Sequence, residues 1–312
     1  MQHQPRLAAT VLAALLSVTL VPSPAQGAVR PVAHHVRLGV CTPRVSAPSA
    51  HPGRALERYA AKVGGMPRIA MWYETWHGGP LIAHRVMRAV KRHGVVPMIT
   101  WMPMKNSLTR IAAGDYDGYL HDSAVAARRW GRRLLLRPFS EMNGRWMPWG
   151  VGAHGNTAQQ FVAAWRHLVS IFHSAHATNV RFVFSPNVIS PNSPDFTSMY
   201  PGDRYVDRVG LDGYNWGTSV PGQRWRSFRE IFAHSYAVLA RLTSRPMLIA
   251  ETASSEAGGH KARWIKHAFR RDMARFPRIR AVVWFNHRKE TSWPVDSSAA
   301  ALRSYRRIVR AE

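Results

Sequence analysis

Leu134-Leu-Leu-Arg-Pro-Phe-Ser-Glu-Met-Asn-Gly144 is the stretch from which the fold is read. It opens as a short apolar run of buried-strand length and ends in polar and small residues, the pattern of a strand that runs into a loop. Segments of helical period lie on either side, at 119–130 and 158–176, and a Gly- and Trp-rich loop spans 144–156. The unit therefore reads as one strand of a βα repeat.

The same alternation continues in both directions. Strands are expected at 36–42, 68–73, 95–101, 133–139, 180–185, 206–214, 246–251 and 280–285, with helices at 54–63, 82–92, 119–130, 158–176, 228–242, 260–275 and 299–309. Eight strands separated by helices specify an α/β chain folded as a closed (β/α)8 TIM barrel, and 312 residues suffice for one such domain. The segment 186–203 contains Pro186, Pro191, Pro194 and Pro201, which oppose a long helix, so it is expected as an extended loop. Chemistry in such barrels sits on the loops after the strands, so 144–156 and 186–203 should frame the site.

The N-terminus reads as a secretory signal over residues 1–27. Arg6 precedes an apolar run from Leu7 to Val21, and Ala25-Gln-Gly27 offers small residues for cleavage before Ala28. The mature chain, 28–312, is then a secreted, extracellular catalytic domain with no membrane span, expected as a monomer. A single cysteine, Cys41, excludes an internal disulfide and reads as a small buried filler.

The chain has 43 basic and 17 acidic residues, a formal charge of +26. Such a charge favours anionic partners such as cell-wall polymers. The basic residues are mostly Arg and scattered, as at Arg128-Arg129 and Arg270-Arg271, without a long basic block or nucleic-acid motif. Ordinary solvated surface accounts for that pattern, and no specific nucleic-acid partner is expected. His173 and His176 lack a third metal ligand, and Asp115, Asp117 and Asp122 lack the spacing of a calcium loop. Neither a Gly-x-Ser-x-Gly elbow nor a phosphate-cradling glycine loop is present, so no metal or cofactor is expected.

Two glutamates close buried-type runs: Glu141, and Glu251 in Pro246-Met-Leu-Ile-Ala-Glu-Thr252. A buried carboxylate is costly unless a partner or a function holds it, so this pair suggests the two carboxyl groups of a glycosidase. Glu74 is a spare acid. Strand alternation puts Arg137, Phe139 and Glu141 on one face, Asp212, Tyr214 and Trp216 on another, and Trp72, Glu74 and Trp76 together. Trp146, Trp149, Trp216 and Trp284 near strand ends suit a groove whose aromatic faces pack on sugar rings.

Arg137-Pro-Phe-Ser-Glu-Met-Asn-Gly-Arg-Trp146, Tyr205-Val-Asp-Arg-Val-Gly-Leu-Asp-Gly-Tyr-Asn-Trp216 and Ile249-Ala-Glu-Thr252 resemble glycoside hydrolase family 26. The resemblance implies a (β/α) barrel and retaining hydrolysis of a β-linked polysaccharide, foremost β-1,4-mannan or a related β-glycan. It assigns the acid/base role to Glu141 and the nucleophile role to Glu251. Tyr214 matches a tyrosine that bonds the nucleophile, and Trp146 and Trp284 match aromatics around the sugar. Mannan-cleaving members carry His where this chain has Ser140, so Ser140 is expected to bond the sugar in its place. Asn143 and Tyr214 are expected to hold the catalytic groups, and Arg137 to keep Glu251 ionised. Two other readings keep the barrel without hydrolysis: a carbohydrate-binding barrel, and a basic extracellular protein that binds anionic wall polymer.

Overall fold

Eight parallel strands close on themselves in sequence order in the computed structural model, which describes Met1, 36–43, 51–76, 81–82, 84–105 and 107–312. The expected signal at 1–27 lies outside the described residues apart from Met1. The strands are β1 (Arg37–Cys41), β2 (Ile69–Thr75), β3 (Val96–Met102), β4 (Leu134–Pro138), β5 (Val180–Phe184), β6 (Arg208–Asn215), β7 (Met247–Ser254) and β8 (Ile279–Phe285). All eight expected strands are present, within a few residues at each end. Closure is made by β1 on β8, where Val40 is registered with Trp284. Every residue of β4 and of β7 is buried, because the barrel interior covers one face and the helices the other.

The helices are α1 (Pro52–Val63), α2 (His84–Arg92), α3 (Leu108–Ala112), α4 (Asp117–Trp130), α5 (Ala158–Ser174), α6 (Phe228–Leu242), α7 (Lys261–His267) and α8 (Ala299–Val309). Local chemistry sets several ends. Thr157 with Gln160 and Ser227 with Glu230 form capping boxes at α5 and α6, and Gly64 and Gly131 end α1 and α4 in the left-handed conformation. Two expectations change. The helix read over 260–275 is α7 followed by a π turn at Ala268–Asp272 and a 3-10 turn at Met273–Arg275. The five residues of α3 are too few to show a period in sequence.

The proline-rich segment contains only two 3-10 turns, Thr197–Met199 and Asp203–Tyr205. It is fastened to α5, where Trp165 Nε1 donates to the Tyr205 carbonyl at 2.9 Å and Arg166 Nε to the Pro201 carbonyl at 2.9 Å. Among the described residues no helix is long and apolar enough to cross a membrane.

Candidate active site

Strand β4 stops at Pro138, and the next residues turn sharply. Phe139 and Glu141 have φ of 50° and 54°, a left-handed conformation that L residues adopt only when their surroundings hold them there. One such restraint is the Glu141 N–H, which donates to the Ser185 carbonyl beyond β5 at 2.8 Å. This geometry corrects the expectation that Arg137, Phe139 and Glu141 share a face. Phe139 packs outward on Phe161 and Trp165 of α5, with ring centroids at 5.8 and 6.1 Å, whereas Arg137 is sealed inside the barrel. Strand alternation ends where φ changes sign.

Arg137 is fully buried between two carboxylates. Its Nη1 donates to Glu251 Oε1 at 2.6 Å and its Nη2 to Asp212 Oδ2 at 2.5 Å. A cation buried with opposite charges and bonded to both is the arrangement in which ionised groups survive away from water. Burial works against the guanidinium, but Asp212 and Glu251 outweigh it and hold its pKa above the usual arginine value. Asp212 and Glu251 are opposite each other because β7 carries an extra residue. The register runs from Leu211 with Ile249 to Asp212 with Glu251, leaving Ala250 out of step. A bulge of this kind re-aims side chains beside a site.

The second Glu251 oxygen, Oε2, accepts a short hydrogen bond from the Tyr214 hydroxyl. Burial first, then the charge of Glu251, push the phenols of Tyr214 and Tyr73 up, so both keep their protons. Around them, Tyr214 packs on Trp293 at 5.2 Å and Trp216 meets Trp293 edge-on at 4.8 Å. Buried Lys261 fastens the Trp293 loop from below through the carbonyls of Ser292, Trp293 and Pro294 at 2.6 to 3.0 Å. His287 stacks on Phe285 and lies 3.2 Å from the Cys41 thiol. Burial pulls its pKa down to about 4, so the ring is neutral at ordinary pH.

Glu141 is held differently. Its Oε2 accepts from Trp146 Nε1 at 2.9 Å and its Oε1 from Asn187 Nδ2 at 2.6 Å. Burial, and after it the Glu251 charge, raise its pKa above the ordinary glutamate value, while the two N–H donors and Arg137 pull against that rise. Trp146 is 49% exposed, and its ring lies across Gly144, where a Cβ would come within 2.4 Å of it. Only glycine lets the indole lie that close to the backbone.

The remaining sequence candidates divide. Trp216 is half-buried beside Tyr214, as a groove residue would be. Trp149 and Trp284, at 1% and 0% exposure, present no open face and are corrected to core positions. Trp149 donates to the Ser140 carbonyl at 2.8 Å, and Trp284 packs on Trp264 and Tyr305 in the helical layer. Ser140 is buried, and its hydroxyl has no hydrogen-bond partner among the described residues. Asn143 touches neither glutamate. It ties the β4 loop to the β5 loop by donating to the carbonyls of Asn187 and Pro194 at 3.0 and 2.9 Å and accepting the Asn187 N–H at 2.9 Å. It therefore acts on Glu141 through Asn187, a residue absent from the sequence reading. Asn187 was findable as a polar residue just beyond the C-terminal end of β5, at the level of Glu141. The spare acid Glu74 accepts from Trp72 Nε1 at 2.9 Å, while Trp76 packs outward on Trp101 and Phe139.

A polar pair of glutamates, one with a cation and a phenol and one with two N–H donors, thus sits at the C-terminal end of the barrel. Comparison with known proteins agrees with the resemblance. The chain is 41% identical over 227 residues to Endoglucanase H of Acetivibrio thermocellus, covering 72% of this chain and 25% of that protein. It is 38% identical over 189 residues to Mannan endo-1,4-beta-mannosidase A and B of Caldalkalibacillus mannanilyticus, covering 49% of this chain and 36% of that one. The chain thus matches well under half the length of either curated relative. Among solved structures, the catalytic domain of the Bacillus sp. JAMB-750 GH26 endo-beta-1,4-mannanase superposes with a TM-score of 0.65 at 18% identity, covering 88% of this chain and 86% of that one. A Cellulomonas fimi endo-beta-1,4-mannanase double mutant does so with a TM-score of 0.66 at 16% identity, over 88% and 70%. Identities that low speak to the fold alone. The model of Glycosyl hydrolase family 26 matches residues 54–268, more than half of the sequence, and the chain belongs to that family.

Proposed function

We propose that this chain is a secreted, endo-acting, retaining glycoside hydrolase that cleaves a β-1,4-linked hexose polymer, mannan or glucan, and works as a monomer. The observation that carries the reading is the unequal environment of the two glutamates. Glu251 is gripped through one oxygen by a guanidinium and through the other by a phenol, which fix its direction and leave it no role as a proton donor to the substrate, as a nucleophile requires. Glu141 has a raised pKa and is partly open to solvent, as a general acid requires.

In the reaction Glu141 gives its proton to the bridging oxygen while Glu251 attacks the anomeric carbon. The glycosidic bond breaks, the shortened chain leaves as an alcohol, and the sugar is esterified to Glu251. Glu141, now a carboxylate, takes a proton from water, whose oxygen attacks the same carbon and frees Glu251. The attack withdraws charge from Glu251, and Tyr214 and Arg137 stabilise that charge again as it returns. Trp146 and Trp216 offer indole faces to the sugars on either side of the cleaved bond.

Between the two polymers Ser140 counts against mannan. Mannose and glucose differ at the carbon next to the reacting one, and Ser140 precedes the acid where mannan-cleaving members carry His. Endoglucanase H, at 41% identity, bears a glucanase name, while the mannosidase shares less. Reducing-end release from mannan, glucomannan, mixed-linkage glucan and xylan tests the proposal. Hydrolysis of a hexose polymer is expected, with glucan at least equal to mannan, and activity confined to xylan would refute it.

The proton on Glu141 can be moved by one substitution. Trp146→Phe removes an N–H donor that favours the carboxylate, so the Glu141 pKa should rise further. The alkaline limb of kcat/KM, where the acid loses its proton, then shifts to higher pH while the acid limb stays. Gly144→Ala, which displaces the same ring, should shift it the same way. A profile unmoved in both variants would show that Glu141 does not set the limb.

A further inference from the structure

Opposite the glutamates, at the N-terminal end of the barrel, lies a cavity of about 530 Å³ that falls within the size range of small-ligand pockets. Five arginines line it. Arg37 and Arg208 are the first residues of β1 and β6, Arg68 and Arg133 immediately precede β2 and β4, and Arg280 is the second residue of β8. Glu312 is the one carboxylate among the lining residues. It is already engaged, accepting the Leu38 N–H at 3.1 Å and pairing loosely with Arg68 at 3.7 Å. Ile69, Leu135 and Leu248 form an apolar floor, against which charges interact more strongly than in open water.

We propose that this N-terminal cavity is a second binding site, separate from the catalytic one, that takes a multiply phosphorylated ligand. Its geometry and chemistry agree on the class. Guanidinium groups bond phosphate oxygens in pairs and stay charged at any physiological pH. Cations that ring a cavity from five strands suit a ligand carrying several negative charges with oxygens pointing in several directions. A flat, singly charged carboxylate would engage only one or two of them. Mutual crowding of the arginines is visible in Arg208, whose pKa burial lowers first and the neighbouring Arg133 and Arg37 lower further. An anion in the cavity would relieve it. Scattered surface charge does not produce this arrangement, because it has no reason to converge on one concave face.

The test uses tripolyphosphate as a small probe that the cavity can enclose, titrated into the intact protein by calorimetry at fixed salt. Saturable one-to-one binding is expected. Arg133→Gln with Arg208→Gln should weaken it at least about tenfold, and exposed Arg133→Gln alone should weaken it in the same direction. Arg270→Gln with Arg271→Gln removes the same charge from an exposed helical face and should change it less than about twofold. All variants should keep their melting temperature and their glycan hydrolysis, which reads the other end of the barrel. Equal weakening in both double variants, or binding that never saturates at one-to-one, would overturn the proposal in favour of diffuse surface charge. Citrate binding as well as tripolyphosphate would overturn the phosphate class. If the cavity binds, glycerol-phosphate oligomers and a short single-stranded oligonucleotide distinguish a wall polymer from a nucleic acid as the source of the phosphate. Binding of the oligonucleotide without tripolyphosphate would instead point to an extended surface and overturn the cavity.

Discussion

Glu251→Gln is expected to lower kcat on the order of 10⁴-fold or more, since it replaces the attacking carboxylate with a neutral, far less nucleophilic amide, and with it about 5 kcal/mol of barrier lowering is lost. The amide is the same size as the carboxylate, so Arg137 keeps Asp212 as a partner and the fold should persist. A thermal melt separates lost chemistry from lost structure. Glu141→Gln should behave differently according to leaving group. On a natural glycan it should be slow, because the departing alkoxide needs a proton. On a dinitrophenyl glycoside, whose leaving group needs none, the first step should be nearly intact and hydrolysis of the intermediate slow, giving a burst. No such leaving-group rescue is expected for Glu251→Gln. Identical behaviour of the two variants on both substrates would contradict the division of roles.

Arg137→Leu should have the largest effect on the fold itself, about 3–5 kcal/mol of destabilisation, because it leaves two buried carboxylates facing each other without a cation. Burial holds the Asp212 carboxyl well above the usual carboxylate range and Arg137 draws it back, so removing the arginine should raise it further. A carboxyl whose pKa is raised in the folded state binds more protons there than in the unfolded chain, so stability falls as pH increases through that window. The penalty of Arg137→Leu should therefore be smallest in acid and grow toward neutral pH. Urea midpoints at several pH values measure it, and a small, pH-independent change would show that Arg137 is not what offsets the burial of these carboxyl groups.

Much of this barrel is legible in the chain because its strands are buried on both faces and therefore read as apolar runs between helical periods. Val36 to Cys41, Leu134 to Phe139 and Pro246 to Glu251 are of this kind, and each lies within a few residues of the observed strand. That both glutamates lie toward the C-terminal end of the barrel follows from the same pattern, although β7 runs on to Ser254 past Glu251 and β4 stops at Pro138 before Glu141. What they touch follows from it only in part. Tyr214 and Arg137 lie within regular strands, where period two holds, and both reach Glu251. Glu141 lies beyond β4 in a left-handed conformation that no propensity of Phe, Ser or Glu predicts, so counting by twos from Arg137 fails there. The bulge at Ala250 is equally silent in sequence, since alanine occupies regular and bulged positions alike.

Aromatics were harder for a different reason. Trp146, Trp149, Trp216 and Trp284 are the same residue, two of them well beyond β4, one just beyond β6 and one inside β8, and the side each one faces depends on the local backbone. Trp146 is laid open across Gly144, whereas Trp149, three residues on, turns inward to the Ser140 carbonyl. The arginine ring was hidden by its spacing. Arg37, Arg68, Arg133, Arg208 and Arg280 are dispersed along the chain, as ordinary surface arginines are, and only barrel closure brings strand starts so far apart in sequence around one cavity.

Whether Glu251 carries the sugar between the two halves of the reaction can be read by trapping the intermediate. A 2-deoxy-2-fluoro glycoside with a dinitrophenyl leaving group slows both steps but hydrolysis of the intermediate most, so protein quenched with it can be digested and its peptides weighed. One added fluorosugar is expected, carried by the peptide that contains Glu251 and absent from Glu251→Gln. An adduct on any other residue, or turnover of the reagent with inversion at the anomeric carbon and no adduct, would contradict that role for Glu251.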